Sequence, residues 1–164
     1  ERIGYIAFTK KAANEARSRA AERFGFTKDD MPYFRTIHSL AFLQLGMRPG
    51  SLLQRENYKE LGEILGIEVS GYSTMEDGVL QGMPLGDRYF FLDNLSRITR
   101  KPLRTIYEDY GDDEIDWYEL DRVSRTLQQY KQKHKLLDFT DMLEHWLKVG
   151  VAPKLDAEIG REHV

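Results

Sequence analysis

The chain has 164 residues, 41% of them apolar, which suffices for one ordinary domain, or one domain plus a small lobe, and argues against disorder. It has no cysteine, which excludes disulfides, thiolate catalysis and cysteine-ligated zinc and fits a reducing compartment. The net charge of −3 is unevenly spread: residues 1–50 hold nine Lys+Arg against five Asp+Glu, and residues 51–164 hold fifteen against twenty-two, so a front of +4 precedes a remainder of −7. Such a front permits a local anion site.

Residues 3–9 read as a short buried strand, and residues 10–24 as a helix with Ala12, Ala13, Ala16, Ala20 and Phe24 on a broadly shared face. Small residues let such a helix lie close to a sheet, and Gly25 is its natural stop. Tyr33–Ile37 is a second candidate strand, rich in aromatic and β-branched residues, followed by a helix over His38–Leu45. The order strand, helix, strand, helix predicts a parallel α/β unit. After Pro49-Gly50, helical spacing takes over. Tyr58, Leu61, Ile64 and Leu65 mark one helix; the glycine-rich residues 66–86 read as a long loop; Tyr89, Leu92, Leu95 and Ile98 mark the next helix, stopped near Pro102. A helical turn is expected over Pro102–Tyr110. Asp112 and Asp113 are expected to cap a long helix in which Trp117, Leu120, Val123, Leu127 and Tyr130 share a face. A last amphipathic helix carries Phe139, Met142, Leu143, Trp146 and Leu147. The expected class is α/β but mostly helical, a small parallel α/β front with a large helical remainder.

The chemistry concentrates at the two strand-to-helix turns. Such a turn exposes unpaired N–H groups and the positive end of the helix dipole. At the first, Thr9 can cap the helix, and Lys10 and Lys11 add charge that a phosphate would welcome. The Phe8 ring either faces a groove, where it can stack on a base, or belongs to the core beside merely solvated lysines. At the second, Thr36 or Ser39 can cap, and His38 either donates to a phosphate or holds the loop. The four histidines, His38, His134, His145 and His163, show no metal-ligand spacing. Gly111–Asp116 lacks the spacing of a calcium loop, and Asp138 and Asp141 read as a cap of the last helix. No Gly-x-x-x-x-Gly-Lys-[Ser/Thr] occurs in the sequence.

Three stretches together carry a resemblance. Phe8-Thr9-Lys10-Lys11-Ala12-Ala13-Asn14-Glu15 resembles the "FTNKAAxEM" motif of the UvrD/Rep/PcrA helicases of superfamily one. Thr36-Ile37-His38-Ser39-Leu40-Ala41 resembles their "TFHSLA", and Leu137-Asp138-Phe139-Thr140-Asp141-Met142-Leu143 their "LDFDDLL". The resemblance spans roughly residues 3–147 and is sharp only in those motifs. Lys10 stands where the family usually has Asn, and Ile37 where it usually has Phe. The resemblance implies that residues 1–45 belong to a first RecA-like domain, that residues 46–136 form a helical insertion, and that residues 137–164 return to the RecA-like domain, with Asp138, Phe139 and Asp141 marking that return. It implies single-stranded DNA contacts at Phe8, Thr9, Lys10, Lys11, Thr36, His38 and Ser39.

The family's phosphate loop would precede Ile3, and its acidic magnesium-binding strand would follow residue 150, where residues 153–164 read as too polar for a buried strand. The expectation is therefore a fragment of an ATP-dependent DNA helicase or translocase that does not hydrolyse ATP alone. ATP and Mg2+ are cofactors of the intact parent, with none expected in this piece, no catalytic residue and no metal ligand. The partner is single-stranded DNA. Rival readings are the helicase subunit of a RecB/AddA-like helicase–nuclease, a non-enzymatic helical interaction module and a helix-turn-helix binder of duplex DNA. No run of about 18 apolar residues and no signal-peptide pattern is present, so no membrane partner is expected and the expected location is cytoplasmic.

Overall fold

The computed structural model of the chain describes residues 3–71 and 83–160. Most of the glycine-rich segment read as a loop, residues 72–82, lies outside the described residues. The described chain is mostly helical, with one small parallel sheet, and divides into two compact units: Glu1–Arg48 with Met142–Val164, and Pro49–Asp141.

The first unit is built on the central strand of a three-stranded sheet. Strand β1 (Ile3–Ala7) pairs in parallel with β2 (Phe34–Thr36) on one side and with β3 (Ala157–Gly160) on the other. Between β1 and β2 runs helix α1 (Lys10–Phe24), and α2 (Ile37–Gln44) follows β2 directly. Ala16 and Ala20 of α1 lie against Ile3, Tyr5, Met31 and Phe34, where methyl-sized side chains let the helix axis come close to the strands. Tyr5 and Phe34 stack at 5.9 Å between centroids, a neighbouring pair on one face of the parallel ladder. Gly25 ends α1 at φ 68, the left-handed conformation glycine adopts without strain.

The second unit is a helical bundle. A short 3-10 turn (Pro49–Ser51) leads to α3 (Arg55–Leu65), then α4 (Leu85–Thr99), α5 (Leu103–Tyr110) and α6 (Trp117–His134). Helix α7 (Phe139–Val149) starts in this unit and ends in the first. Leu92, Ile106, Leu120 and Val123 close the core of α4, α5 and α6, while Leu61, Leu127 and Tyr130 join α3 to α6. Helices α4 and α6 run in the same direction. Tyr89 Oη accepts from the Asp116 N–H at their starts (3.2 Å), and Ser124 donates to Asp93 further along (2.6 Å). The chain enters and leaves this unit side by side, with Leu53 N–H donating to Leu137 O and Leu137 N–H to Ser51 O.

The structure departs from the sequence reading in several places. The polar segment 153–164 does supply a strand, β3. As an edge strand it needs a backbone partner on one side only, which a polar sequence can satisfy. The long helix is capped by Asp116, which accepts from Glu119 N–H at 2.8 Å, and not by Asp112 or Asp113; Asp116 directly precedes Trp117, where the apolar stripe starts. Residues 103–110 make a full two-turn helix. Phe24, Ile64, Ile98, Phe139 and Leu147 are exposed. Phe24 and Ile98 lie in the last turns of their helices. On α3 the buried face carries Leu61, Gly62 and Leu65, and Ile64 stands outside it.

Leu120 is fully buried in the α4–α5–α6 core. Leu120→Ala is expected to cost about 2–5 kcal/mol of stability in urea unfolding followed by helical circular dichroism.

Candidate nucleic-acid interface

Parallel pairing decides where the two turns lie. Ala7 is registered with Thr36, so the carboxyl ends of β1 and β2 finish level, about 4.8 Å apart, and the chain continues from each into a helix N-terminus. Phe8–Lys11 and Thr36–Ser39 therefore lie side by side on one edge of the sheet. In open α/β sheets that edge is where ligands bind. The two turns differ in length. Phe8 and Thr9 separate β1 from α1, whereas Thr36 is both the last residue of β2 and the cap of α2.

The two threonines are scaffold. Thr9 Oγ1 accepts from Ala12 N–H and Thr36 Oγ1 from Ser39 N–H, both at 3.2 Å. Thr36 is also buried, at 7% exposure, so it sets the turn rather than offering a hydroxyl to solvent. Ser39, Lys10 and Lys11 are exposed, as is Phe8 at 66%, so the aromatic ring stands outside the core. His38 is half-buried, and burial pushes its pKa below the usual histidine value, so it is neutral at pH 7. The positive charge of this edge thus comes from Lys10 and Lys11.

Asp138, Phe139 and Asp141 belong to the second unit, and two of them sit in a charge cluster. Arg97 on α4 donates to Asp138 (2.6 Å) and to Asp141 (3.0 Å), and pairs with Asp93 one turn earlier (3.1 Å). Lys131 on α6, only 4% exposed, reaches Asp138 at 2.9 Å and Asp141 at 2.7 Å. Asp138 and Asp141 also accept each other's backbone N–H, a reciprocal cap on α7. The cap reading holds, and the two carboxylates additionally bind three helices at one point. Burial alone would raise the Asp138 pKa; the Arg97 hydrogen bond and charge, then Lys131, outweigh it and hold the carboxyl at about 2. The Arg97, Lys131 and Asp93 partners were not read from the sequence, although Lys131 and Asp93 follow Leu127 and Tyr89 by four residues and so stand on apolar stripes. Arg97 carries no such mark.

Helix α2, which starts at the second turn, is fixed at its far end by Gln44. Its amide oxygen accepts from Trp146 Nε1 (2.6 Å) and Val151 N–H (3.1 Å), and its nitrogen donates to Val151 O (2.7 Å). Among the described residues no group of three or more His, Asp or Glu could hold a metal ion, and no helix is long and apolar enough to cross a membrane. The sequence matches no protein-family model, and no curated protein matches it.

Arg97→Ala leaves buried carboxylates short of a partner and is expected to cost about 3–5 kcal/mol in urea unfolding. The Asp138 contribution has a defined pH window. Its folded pKa is depressed, so its stabilisation is complete above the unfolded value of about 4 and is lost as pH falls through about 2. In acid titrations of unfolding, Asp138→Asn is expected to flatten the loss of stability between those values.

Proposed function

We propose that this chain supplies single-stranded DNA contacts in an ATP-dependent helicase or translocase of the UvrD/Rep/PcrA type. The observation that carries the reading is the register of Ala7 with Thr36, which sets two motif-bearing turns side by side at one strand edge. In this reading residues 1–45 and 137–164 belong to a RecA-like domain and residues 46–136 are the helical insertion, whose span overlaps most of the compact unit Pro49–Asp141. Phe8 offers a stacking face, Lys10 and Lys11 neutralise backbone phosphates, the Ser39 hydroxyl and N–H groups at the two helix starts donate to the backbone, and Thr9 and Thr36 hold the turns in shape. His38, neutral, donates or accepts without adding charge. Contacts of these kinds read backbone and base faces rather than sequence.

ATP and magnesium belong to such an enzyme, and the residues of this edge do not fit them. Residues 8–11 and 36–39 include no carboxylate for magnesium and no glycine-rich phosphate cradle. No step is therefore assigned to nucleotide in this chain.

The test is anisotropy of a labelled oligo-dT at low salt. Phe8→Ala is expected to weaken binding by about 1–3 kcal/mol, as for loss of one stacked base. Lys10→Ala is expected to lower the slope of log K against log salt by about 0.7. Wild-type affinity and slope in both folded variants would rule out this edge as the DNA site.

A further inference from the structure

The second unit carries a feature that its own stability does not require. Among the described residues, the non-glycine residues with positive φ are Arg100 (φ 56) and Lys135 (φ 54). Each is the left-handed cap of a helix, Arg100 of α4 and Lys135 of α6. Glycine occupies that position in α1 and α3, at Gly25 and Gly66, and it is the residue the conformation favours. At Arg100 and Lys135 a β-carbon is held where it is disfavoured.

The two caps lie at the same end of the unit. Helices α4 and α6 run in the same direction, and Arg97 and Lys131, each in the last turn of its helix, meet on the same Asp138 oxygen. The helices therefore end together, and packed helix axes about 8–10 Å apart set the two caps a span of about three phosphates of one strand from each other. Lys133 is exposed in the same last turn of α6. Several of the surrounding charges among the described residues are paired. Asp93, Asp138 and Asp141 are held by Arg97 and Lys131, Lys101 faces Asp109 at 3.5 Å, and His134 stacks on Tyr130 with ring centroids 4.3 Å apart. Helix-dipole complementation does not require a left-handed β-carbon, since a cation within the last turn, such as Lys133 of α6, serves it equally. What glycine would lack at these two positions is the charge.

We propose that the end of the second unit where α4 and α6 terminate together is a binding surface for the phosphate backbone of a nucleic acid, carried by Arg100, Lys133 and Lys135. The choice of nucleic acid as the polyanion rests on the reading above; the cationic surface does not. It is a local positive end on a sequence half whose balance is −7, which suits contact with a polyanion at that end alone. The contacts are to phosphate, so they orient a strand without reading its sequence.

The test uses the full chain with Arg100→Gly and Lys135→Gly together, and the neutral Arg100→Asn, Lys135→Asn pair as a second variant that also accepts the left-handed conformation. Labelled single-stranded and duplex oligonucleotides are titrated across a salt series, and Tm is recorded. The glycine pair is expected to keep or raise Tm, by about 2–4 °C, while weakening binding. The salt slope is expected to fall by about 1.4 on a single strand or about 1.8 on duplex, and whichever substrate shows the loss is the form this surface holds. Arg100→Lys with Lys135→Arg is expected to restore binding. Unchanged affinity and slope on both substrates, with Tm kept or raised, would overturn the proposal and show that the caps are structural. Running Phe8→Ala with Lys10→Ala alongside separates the two sites. Loss there but not in the glycine pair sinks this surface and leaves the strand-edge site; the reverse keeps this surface and sinks the other.

Discussion

The carboxylate of Asp138 is the point on which the helical unit turns. It receives Arg97 from α4 and Lys131 from α6 while capping α7 through the Asp141 N–H, so three helices share one anchor. Three carboxylates and two cations make up the cluster, and each group is expensive to bury alone. The arrangement is accordingly all-or-none: it rewards only the geometry in which α4 and α6 end level and α7 begins against them. The same geometry brings the two left-handed cationic caps together, so a surface feature is inherited from a buried constraint.

In the first unit the corresponding constraint is the parallel ladder. Strand β1 is bonded on both sides, and its register with β2 fixes which residues emerge level at the sheet edge. Two threonine caps then spend their hydroxyls on backbone N–H groups and so become part of the frame. That division of labour leaves Phe8, Lys10, Lys11 and Ser39 outward and makes Thr36 an internal part. Gln44 adds a second hold on α2 by offering Val151 both an acceptor and a donor, as a neighbouring strand would.

Much of the local structure was legible. Helix α1 and its glycine stop, the cap at Thr9, a second cap narrowed to Thr36 or Ser39, and the buried stripe Leu120, Val123, Leu127 and Tyr130 follow from periodicity and capping chemistry, which act within one or two turns. The misses share a cause. Helical spacing correctly places Ile64, Ile98 and Leu147 in helices, but which helix positions are covered is set by contacts across the fold and is not written locally. The strand at Ala157–Gly160 was missed because its polarity argued against burial, while its stability comes from a distant ladder with β1.

The candidate sites divide the same way. The sequence by itself determined the residue types at two strand-to-helix turns, the capping threonines, the aromatic and lysines beside them, and a carboxylate pair three apart at the start of a helix. Each of those is a short-range pattern. Only the tertiary structure decided that the two turns stand level, that Thr36 is buried while Phe8 is not, and that Asp138 is met by Arg97 from 41 residues away and Lys131 from seven. It also decided that Arg100 and Lys135 are left-handed and end at the same place. The physical reason is that strand register, helix direction and ion pairing between elements are set by contacts across the fold, and those contacts have no signature in the spacing of neighbours along the chain.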